Sequence, residues 1–131
     1  MYIIEKTEYG YHMTFGGKIL EDEMAAWVEE SVQVLAEQRG KFSVFVDMRT
    51  LEPIASESQV QMQKGQRMYK QKGMERSVVI LESATLTRQF QRIAKQTGIL
   101  LWERYIDASL VKDWEKVALD WIKNGVEPQE A

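Results

Sequence analysis

The side chains able to do acid–base or nucleophilic chemistry are few, and none falls into a known catalytic pattern. His12 is the only histidine, so a Ser-His-Asp arrangement would have to use it, and no nucleophile motif accompanies it. Gly-x-Ser-x-Gly, a phosphate-binding glycine-rich loop and His-Glu-x-x-His are all absent from the sequence. There is also no cysteine. We therefore predict a non-catalytic protein with no cofactor and no metal site, in which His12 is a structural or solvent-facing residue.

Asp47 is the acidic residue whose position most suggests function. It follows the apolar run Phe42–Val46, which is typical of a buried strand, and α/β proteins often place functional residues where such a strand ends. The structural alternative is that its carboxylate accepts backbone N–H groups and shapes a turn with Arg49 and Thr50. Both interpretations stay open, and all three residues are candidate binding residues.

A polar segment, Ser56–Lys72, carries the other candidates. Ser56 or Ser58 can cap a helix here, and both are candidate contact residues. Many glutamines and Gly65 dilute its apolar content, so we expect the most exposed and most mobile helix of the protein. A few larger side chains then form an exposed apolar strip beside basic residues, which is typical of an interface. The strip consists of Met62, Met68 and Tyr69, and Arg67 is the basic candidate contact residue beside it.

The charges are unevenly distributed. The net charge of -3 argues against general nucleic-acid binding. Residues 21–37 carry acidic side chains without a basic one, whereas the charged side chains of residues 64–76 are mostly basic. One interpretation is two solvated helix faces of opposite sign. The other is a basic docking edge for an acidic partner, a phosphate or an anionic membrane surface.

Strands and helices alternate along the chain. Apolar residues at helical spacing, among them Val32, Leu110 and Trp114, are expected to face the core. The predicted elements are a hairpin of Tyr2–Thr7 and Tyr11–Phe15, a helix over Met24–Leu35, a strand Phe42–Val46, a helix Ser56–Lys72, a strand Ser77–Leu81, a helix from Ser83 to Gly98, a strand Ile99–Ile106 and a helix from Asp107 to Gly125.

This order predicts an α/β fold with a mixed, largely parallel five-stranded sheet and four helices. The 131 residues, 44% hydrophobic and 28% charged, suit one domain. We predict a single domain over 1–125 and a flexible tail over 126–131. Ligands of such sheets bind outside the carboxyl ends of the strands. That rim is expected at Asp47–Ser58, Glu82–Thr87 and Ile106–Ser109.

The chain resembles the STAS family, the SpoIIAA-like anti-sigma-factor antagonists, and especially the bacterial branch described as STAS/SEC14-like. The segments that carry the resemblance are Phe42–Asp47 with the helix from Ser56, Ser77–Leu81, and Glu103–Asp107 before the helix with Trp114. The resemblance implies a SpoIIAA-like fold and a regulatory role. Its SEC14-like side implies an apolar ligand.

The family's regulatory motif is Asp-Ser-Ser-Gly, in which a partner kinase phosphorylates one serine. The corresponding stretch here is Ala55-Ser56-Glu57-Ser58. Ser56 stands where a family serine lies, whereas the aspartate and the glycine are absent. The resemblance therefore implies Ser56 as the candidate phosphorylation site.

Two functional hypotheses follow. The first is a regulatory or protein-interaction module with a protein partner, acting through the rim and the second helix. The alternative is a carrier or sensor of a small apolar or amphiphilic ligand held between the sheet and that helix. A homodimer is compatible with either. The absence of cysteine and of a signal peptide or membrane-spanning run predicts a cytoplasmic protein.

Overall fold

Five strands form the sheet of the computed structural model, which describes residues 1–128. The strands are β1 (Tyr2–Lys6), β2 (Gly10–Phe15), β3 (Phe42–Asp47), β4 (Met74–Leu81) and β5 (Glu103–Asp107). They lie in the order β1-β2-β3-β4-β5. β1 pairs with β2 antiparallel, and β2 to β5 run parallel. The predicted α/β fold with a largely parallel five-stranded sheet is confirmed.

Four helices accompany the sheet, as predicted. They are α1 (Glu21–Ala36), α2 (Ser56–Lys72), α3 (Ala84–Thr97) and α4 (Trp114–Asn124). The first three each connect two parallel strands, and α4 follows β5. Ser83 caps α3, because its hydroxyl accepts a hydrogen bond from the Leu86 N–H at 3.1 Å. None of the helices within residues 1–128 combines the length and the apolar character that a bilayer-spanning helix requires.

The two faces of the sheet are covered unequally. Side chains alternate between the faces along each strand, and β3 illustrates the result. Val44 and Val46 belong to a core cluster with residues of α1, α2 and α3, whereas Phe45 belongs to a second cluster with residues of α4. Three helices therefore cover one face, and α4 covers the other.

The contact between α1 and α2 depends on Gly65. A Cβ atom built on Gly65 would lie 2.2 Å from Cζ3 of Trp27, too close for any side chain. The indole of Trp27 stacks on Tyr69 with ring centroids 5.9 Å apart. Gly65 was expected to weaken α2, but the structure gives it another role, since it lets the two helices approach around a buried tryptophan.

Two element boundaries differ from the prediction. Ile99–Leu101 forms a short 3-10 helix, and the strand begins at Glu103 rather than at Ile99. The helix predicted from Asp107 begins at Trp114. Asp107 instead accepts hydrogen bonds from the Ser109 N–H at 2.9 Å and its hydroxyl at 2.5 Å. The Asp107 carbonyl also accepts hydrogen bonds from the Leu110 and Val111 N–H groups, at 3.0 and 3.1 Å, but this single turn does not continue into a helix before Trp114.

Some residues predicted to face the core do not. Val32 is 54% exposed and Leu110 67% exposed. On α1 the buried position goes to Ser31, whose hydroxyl accepts a hydrogen bond from the Tyr69 hydroxyl at 2.8 Å. Leu110 lies in the turn before α4 and is not part of the helix, so the helical spacing that predicted its burial does not apply.

The chain beyond α4 returns to the sheet. The Arg104 guanidinium pairs with Glu127 through Nε and, at 3.1 Å, through Nη2. Arg104 also lies over the Trp121 ring, 4.3 Å from its centroid. The first two residues of the predicted tail thus lie beside β5 and α4, while residues 129–131 are outside the described part of the chain.

Candidate functional site

At the rim, the structure brings Asp47 and Arg49 together. One carboxylate oxygen of Asp47 accepts hydrogen bonds from the backbone N–H and Nε of Arg49, and the other accepts from Nη2, each at 3.0 Å. Although burial raises it, these hydrogen bonds hold the pKa of the Asp47 carboxyl below its usual value. The predicted turn role of Asp47 is therefore observed. Thr50 is exposed beside the pair.

Trp114 anchors this corner of the rim. The Arg49 guanidinium lies over its ring at 4.4 Å from the centroid, and Phe45 lies on the sheet side with ring centroids 6.4 Å apart. Trp114 is only partly buried, whereas the sequence pattern predicts a core position.

Trp114→Ala is accordingly expected to lower the free energy of unfolding by about 2 kcal/mol, less than the roughly 3–5 kcal/mol of a fully buried tryptophan. Urea denaturation measures the loss. A loss of roughly 3–5 kcal/mol would instead show that the indole is packed as tightly as a fully buried tryptophan.

The two serines at the start of α2 occupy different environments. Ser56 is exposed at the first helical position, and the residue before it, Ala55, offers no side-chain cap. Ser58 is buried, and its hydroxyl donates a hydrogen bond to the Ile19 carbonyl at 3.2 Å. Neither serine caps α2, so that prediction is wrong, and Ser58 is not accessible to a protein partner.

The exposed apolar strip predicted on α2 is not present. Met62 and Tyr69 are 3% and 2% exposed and pack in the core below α1. Met68 is partly buried against the same cluster, and Arg67 alone is fully on the surface. The prediction is wrong because these apolar side chains face the sheet and α1 rather than solvent.

A cavity that the sequence analysis does not predict lies at the opposite end of the sheet from the rim, beside the first residues of β4 and β5. Its volume is about 350 Å³, within the range of about 300–1,000 Å³ that small-molecule sites occupy. One wall is the last turns of α2, and the other is formed by β4, the 3-10 segment and the start of β5. Residues of the two walls include Gln66, Arg67, Lys70, Met74, Trp102 and Glu103.

Glu103 forms the polar floor of this cavity. It is 4% exposed, and its two oxygens accept hydrogen bonds from the Ser77 hydroxyl at 2.7 Å and the Tyr105 hydroxyl at 2.5 Å. Burial raises the pKa of the Glu103 carboxyl, although these hydrogen bonds oppose the shift. Because Glu103 and Arg104 are neighbours in a strand, their side chains point to opposite faces, and the sequence predicts a structural ion pair for the one that faces a helix. Arg104 makes one, whereas Glu103 is partnered by neutral hydroxyls.

The Glu103→Gln variant is expected to become more stable relative to wild type as the pH rises, because the wild type loses stability over that range. A raised pKa means that the folded protein holds the proton more tightly than the unfolded chain does. Stability contributed by protonated Glu103 is therefore complete below the ordinary glutamate pKa. It is lost as pH rises through the raised value, by up to about 1.4 kcal/mol per pH unit. Urea denaturation at acid and neutral pH measures the difference between wild type and variant. Glu52→Gln, at an exposed position, is the matched control, and a pH-independent difference for Glu103→Gln would contradict the shift.

A second, smaller cavity of about 30 Å³ lies deeper in the core. Both cavities are lined by Gln66, Met74 and Glu103, so these side chains stand between them. Trp27 also lines the inner cavity. Among residues 1–128, four side-chain atoms are buried without a hydrogen-bond partner: Nδ1 of His12, Nε of Arg76, Nε1 of Trp27 and Oε1 of Gln66. Buried polar atoms are usually paired, and two of these four belong to residues that line the inner cavity.

Positive charge lies at the outer cavity. Arg67 and Lys70 line it from α2. The Lys70 ammonium donates to the Met74 carbonyl at 3.1 Å and lies 4.4 Å from the Trp102 ring centroid. An ammonium has three donors, so Lys70 keeps hydrogen-bonding capacity for a further group.

Other candidate chemistry is limited. His12 stacks on Phe45 with ring centroids 4.9 Å apart and lies 3.8 Å from the Glu5 carboxylate, an arrangement that suits the structural interpretation. Within the described residues, no three histidine, cysteine or acidic side chains cluster as a metal site would require.

Comparison with known proteins adds no further assignment. No family model matches the sequence, and neither the curated proteins nor the solved structures provide a match.

Proposed function

We propose that this protein binds a small amphiphilic molecule in the outer cavity, between the end of α2 and the sheet, and acts as its carrier or sensor without a catalytic step. The observation that carries the proposal is Glu103, a buried carboxyl at the floor of an open cavity that forms no salt bridge within residues 1–128 and is held by two neutral hydroxyls. The cysteine-free sequence suits a reducing, cytoplasmic setting.

The energetics of Glu103 support a binding role. A carboxyl group in this environment loses hydration, and two neutral hydroxyls compensate less than a cation would. An apolar residue would fill the same space without that cost. A group whose pKa is shifted by burial in a cleft is typical of a functional site.

The cavity walls support an amphiphilic rather than a polar ligand. Met74, Ile99 and Trp102 provide apolar contact surface, while the amides of Gln63 and Gln66 provide hydrogen-bonding groups. A few polar groups set in an apolar lining are typical of small-molecule sites. The volume suits a compact aromatic molecule or a single short chain and is too small for a two-chain lipid.

The experiment is binding of the neutral fluorophore aminoanthracene to purified protein, with organic extraction and mass spectrometry to detect a co-purified compound. Gln63→Trp places an indole in the cavity wall and is expected to reduce probe binding at least tenfold. Lys64→Trp is the matched control, because Lys64 is the next residue of α2, is exposed and does not line the cavity.

Two outcomes would count against ligand binding. One is the absence of saturable probe binding to wild type. The other is equal probe binding by the Gln63 and Lys64 variants, which would place the probe elsewhere on the surface.

A regulatory protein-interaction module is the second candidate, and the exposed Ser56 favours it. A phosphate on Ser56 would lie at the first turn of α2, where the helix dipole and uncapped N–H groups favour an anion. Asp47, Arg49 and Thr50 lie at the same rim. Regulation would then come from blocking a partner, such as a kinase-linked protein, rather than from unfolding.

Partner capture from lysate with wild type, Ser56→Ala and Ser56→Asp tests this candidate. We expect Ser56→Asp to lose a partner that wild type and Ser56→Ala retain, with unchanged melting of all three. Identical recovery from the three proteins would exclude Ser56 as a switch and leave the ligand-binding proposal.

A further inference from the structure

The polar groups around the two cavities form two separate sets. Cationic side chains, Arg67 and Lys70, line the outer cavity, and Arg67 is exposed to solvent. Groups without formal positive charge line the inner end: Trp27, Gln66 and the carboxyl of Glu103. A ligand that lies in the outer cavity and reaches past the shared side chains Gln66 and Met74 into the inner one meets positive charge at one end and hydrogen-bonding groups without positive charge at the other.

The inner set is complementary to a hydroxyl group. Nε1 of Trp27 is a donor, and Oε1 of Gln66 is an acceptor, and neither has a partner among residues 1–128. A hydroxyl both accepts and donates, so it can serve the two kinds of atom. The inner cavity, at about 30 Å³, has room for one such group, since a single water needs roughly 10–15 Å³.

The outer set is complementary to an anion. Arg67 makes no salt bridge with another residue of the described chain, and Lys70 is bound to a backbone carbonyl rather than to an acid. Guanidinium and ammonium groups at an opening favour a carboxylate, which they bind through charge-assisted hydrogen bonds. They disfavour an amine at the same place.

Building on the proposed function, we infer that the ligand is a small hydroxylated carboxylic acid with an apolar body. Its carboxylate lies between Arg67 and Lys70, its body lies against Trp102 and Met74, and its hydroxyl reaches Trp27 and Gln66 at the inner end. The apolar body is a small aromatic group or a short aliphatic chain, either of which the outer cavity can hold.

Calorimetric titration of wild-type protein with matched compounds tests the inference. The aromatic set is para-hydroxyphenylacetate, phenylacetate and tyramine, and the aliphatic pair is omega-hydroxydecanoate and decanoate. In at least one set, the hydroxy acid is expected to bind tenfold or more tightly than the acid that lacks the hydroxyl. The reason is that the latter leaves buried polar atoms unpaired. Tyramine is expected to bind at least tenfold more weakly than its acid counterpart.

Variants locate the two ends of the ligand. Gln66→Leu is expected to remove the preference for the hydroxyl while keeping affinity for the acid, and Lys70→Met to weaken every acid by tenfold or more. Lys64→Met, an exposed cation on the same helix that does not line the cavity, is the control. Melting curves confirm that each variant is folded.

The outcomes separate this inference from the proposed function. If aminoanthracene binds and Gln63→Trp blocks it, the cavity is a ligand site. In that case equal binding of hydroxylated and non-hydroxylated acids, tightest binding of tyramine, or no binding of either hydroxy acid would overturn the inference alone. If neither the fluorophore nor a hydroxy acid binds, both proposals fail together.

Discussion

Trp27→Ala is expected to lower the free energy of unfolding by about 3–5 kcal/mol, the range for deleting a buried tryptophan. Trp27 is 3% exposed. Its indole meets Phe15 edge-on with ring centroids 5.2 Å apart and stacks on Tyr69. It therefore joins α1, α2 and the sheet, and its removal opens a cavity among three elements. Urea denaturation followed by far-UV circular dichroism measures the loss.

Two further variants control for the interpretation. Val32→Ala, at an exposed position of the same helix, is expected to stay within about 0.5 kcal/mol of wild type. Trp27→Phe keeps an aromatic ring and removes an N–H that has no partner in the described chain, so it is expected to cost much less than alanine. A loss below about 1 kcal/mol for Trp27→Ala would mean that the contact between α1 and α2 contributes little.

Gly65→Ala is expected to destabilise the protein by roughly 1–3 kcal/mol, the usual cost of overpacking. In an exposed helix the same change would stabilise by about 1 kcal/mol. The packing term dominates here because the new Cβ would lie 2.2 Å from the Trp27 ring, and two neighbouring elements would have to separate. Thermal and urea denaturation both report the effect.

A double-mutant cycle identifies the cause. Combining Gly65→Ala with Trp27→Phe removes the outer part of the indole that a Cβ at position 65 would meet. The double variant is therefore expected to be more stable than the sum of the single changes implies, with a coupling of about 1 kcal/mol or more. Additive changes, or a stabilising Gly65→Ala, would refute the role assigned to Gly65.

Periodicity predicts the secondary structure where large apolar residues carry it. The alternation in β2 and the apolar runs of β3 and β4 predict the sheet, and Ser83 and Gly98 mark the ends of α3. The run Ile99–Leu101 is mispredicted as a strand, because a short apolar segment has the same sequence pattern in an extended chain and in a 3-10 turn. Asp107 is mispredicted as a cap, since a turn and a helix start use the same side chain.

The orientation of α2 was predictable in principle from a signal carried by small residues. Its buried positions are Ser58, Met62, Gly65 and Tyr69, which follow helical spacing. Two of these four have little or no side chain, so the pattern is weak beside the surrounding glutamines. For the same reason, the sequence alone suggests exposure for Met62 and Tyr69, and weakness for a helix that packs closely on α1.

The candidate site is harder to predict from the sequence than the fold. The rim containing Asp47 and Ser56 follows from the general rule for the carboxyl ends of parallel strands. The cavity lies at the opposite end of the sheet, at the amino-terminal ends of β4 and β5, and Gln66 of α2 and Glu103 of β5 both line it. These residues are far apart in sequence, and their types are ordinary for a surface. Their burial depends on how α2 and the 3-10 segment close over the sheet, which is a tertiary effect.

The pairing of Arg104 with Glu127 has a consequence for association between molecules. β5 is an edge strand, and the free backbone groups of an edge are a template for another chain to add a strand. Arg104 donates to the Leu100 carbonyl at 2.5 Å and to the Glu103 carbonyl at 2.9 Å. It thereby occupies one backbone acceptor of the 3-10 segment and that of the first residue of β5, while Glu127 pairs with the guanidinium. A charged pair at a strand edge is one of the features that disfavour edge-to-edge pairing between molecules, and here that pair joins β5 to the chain after α4.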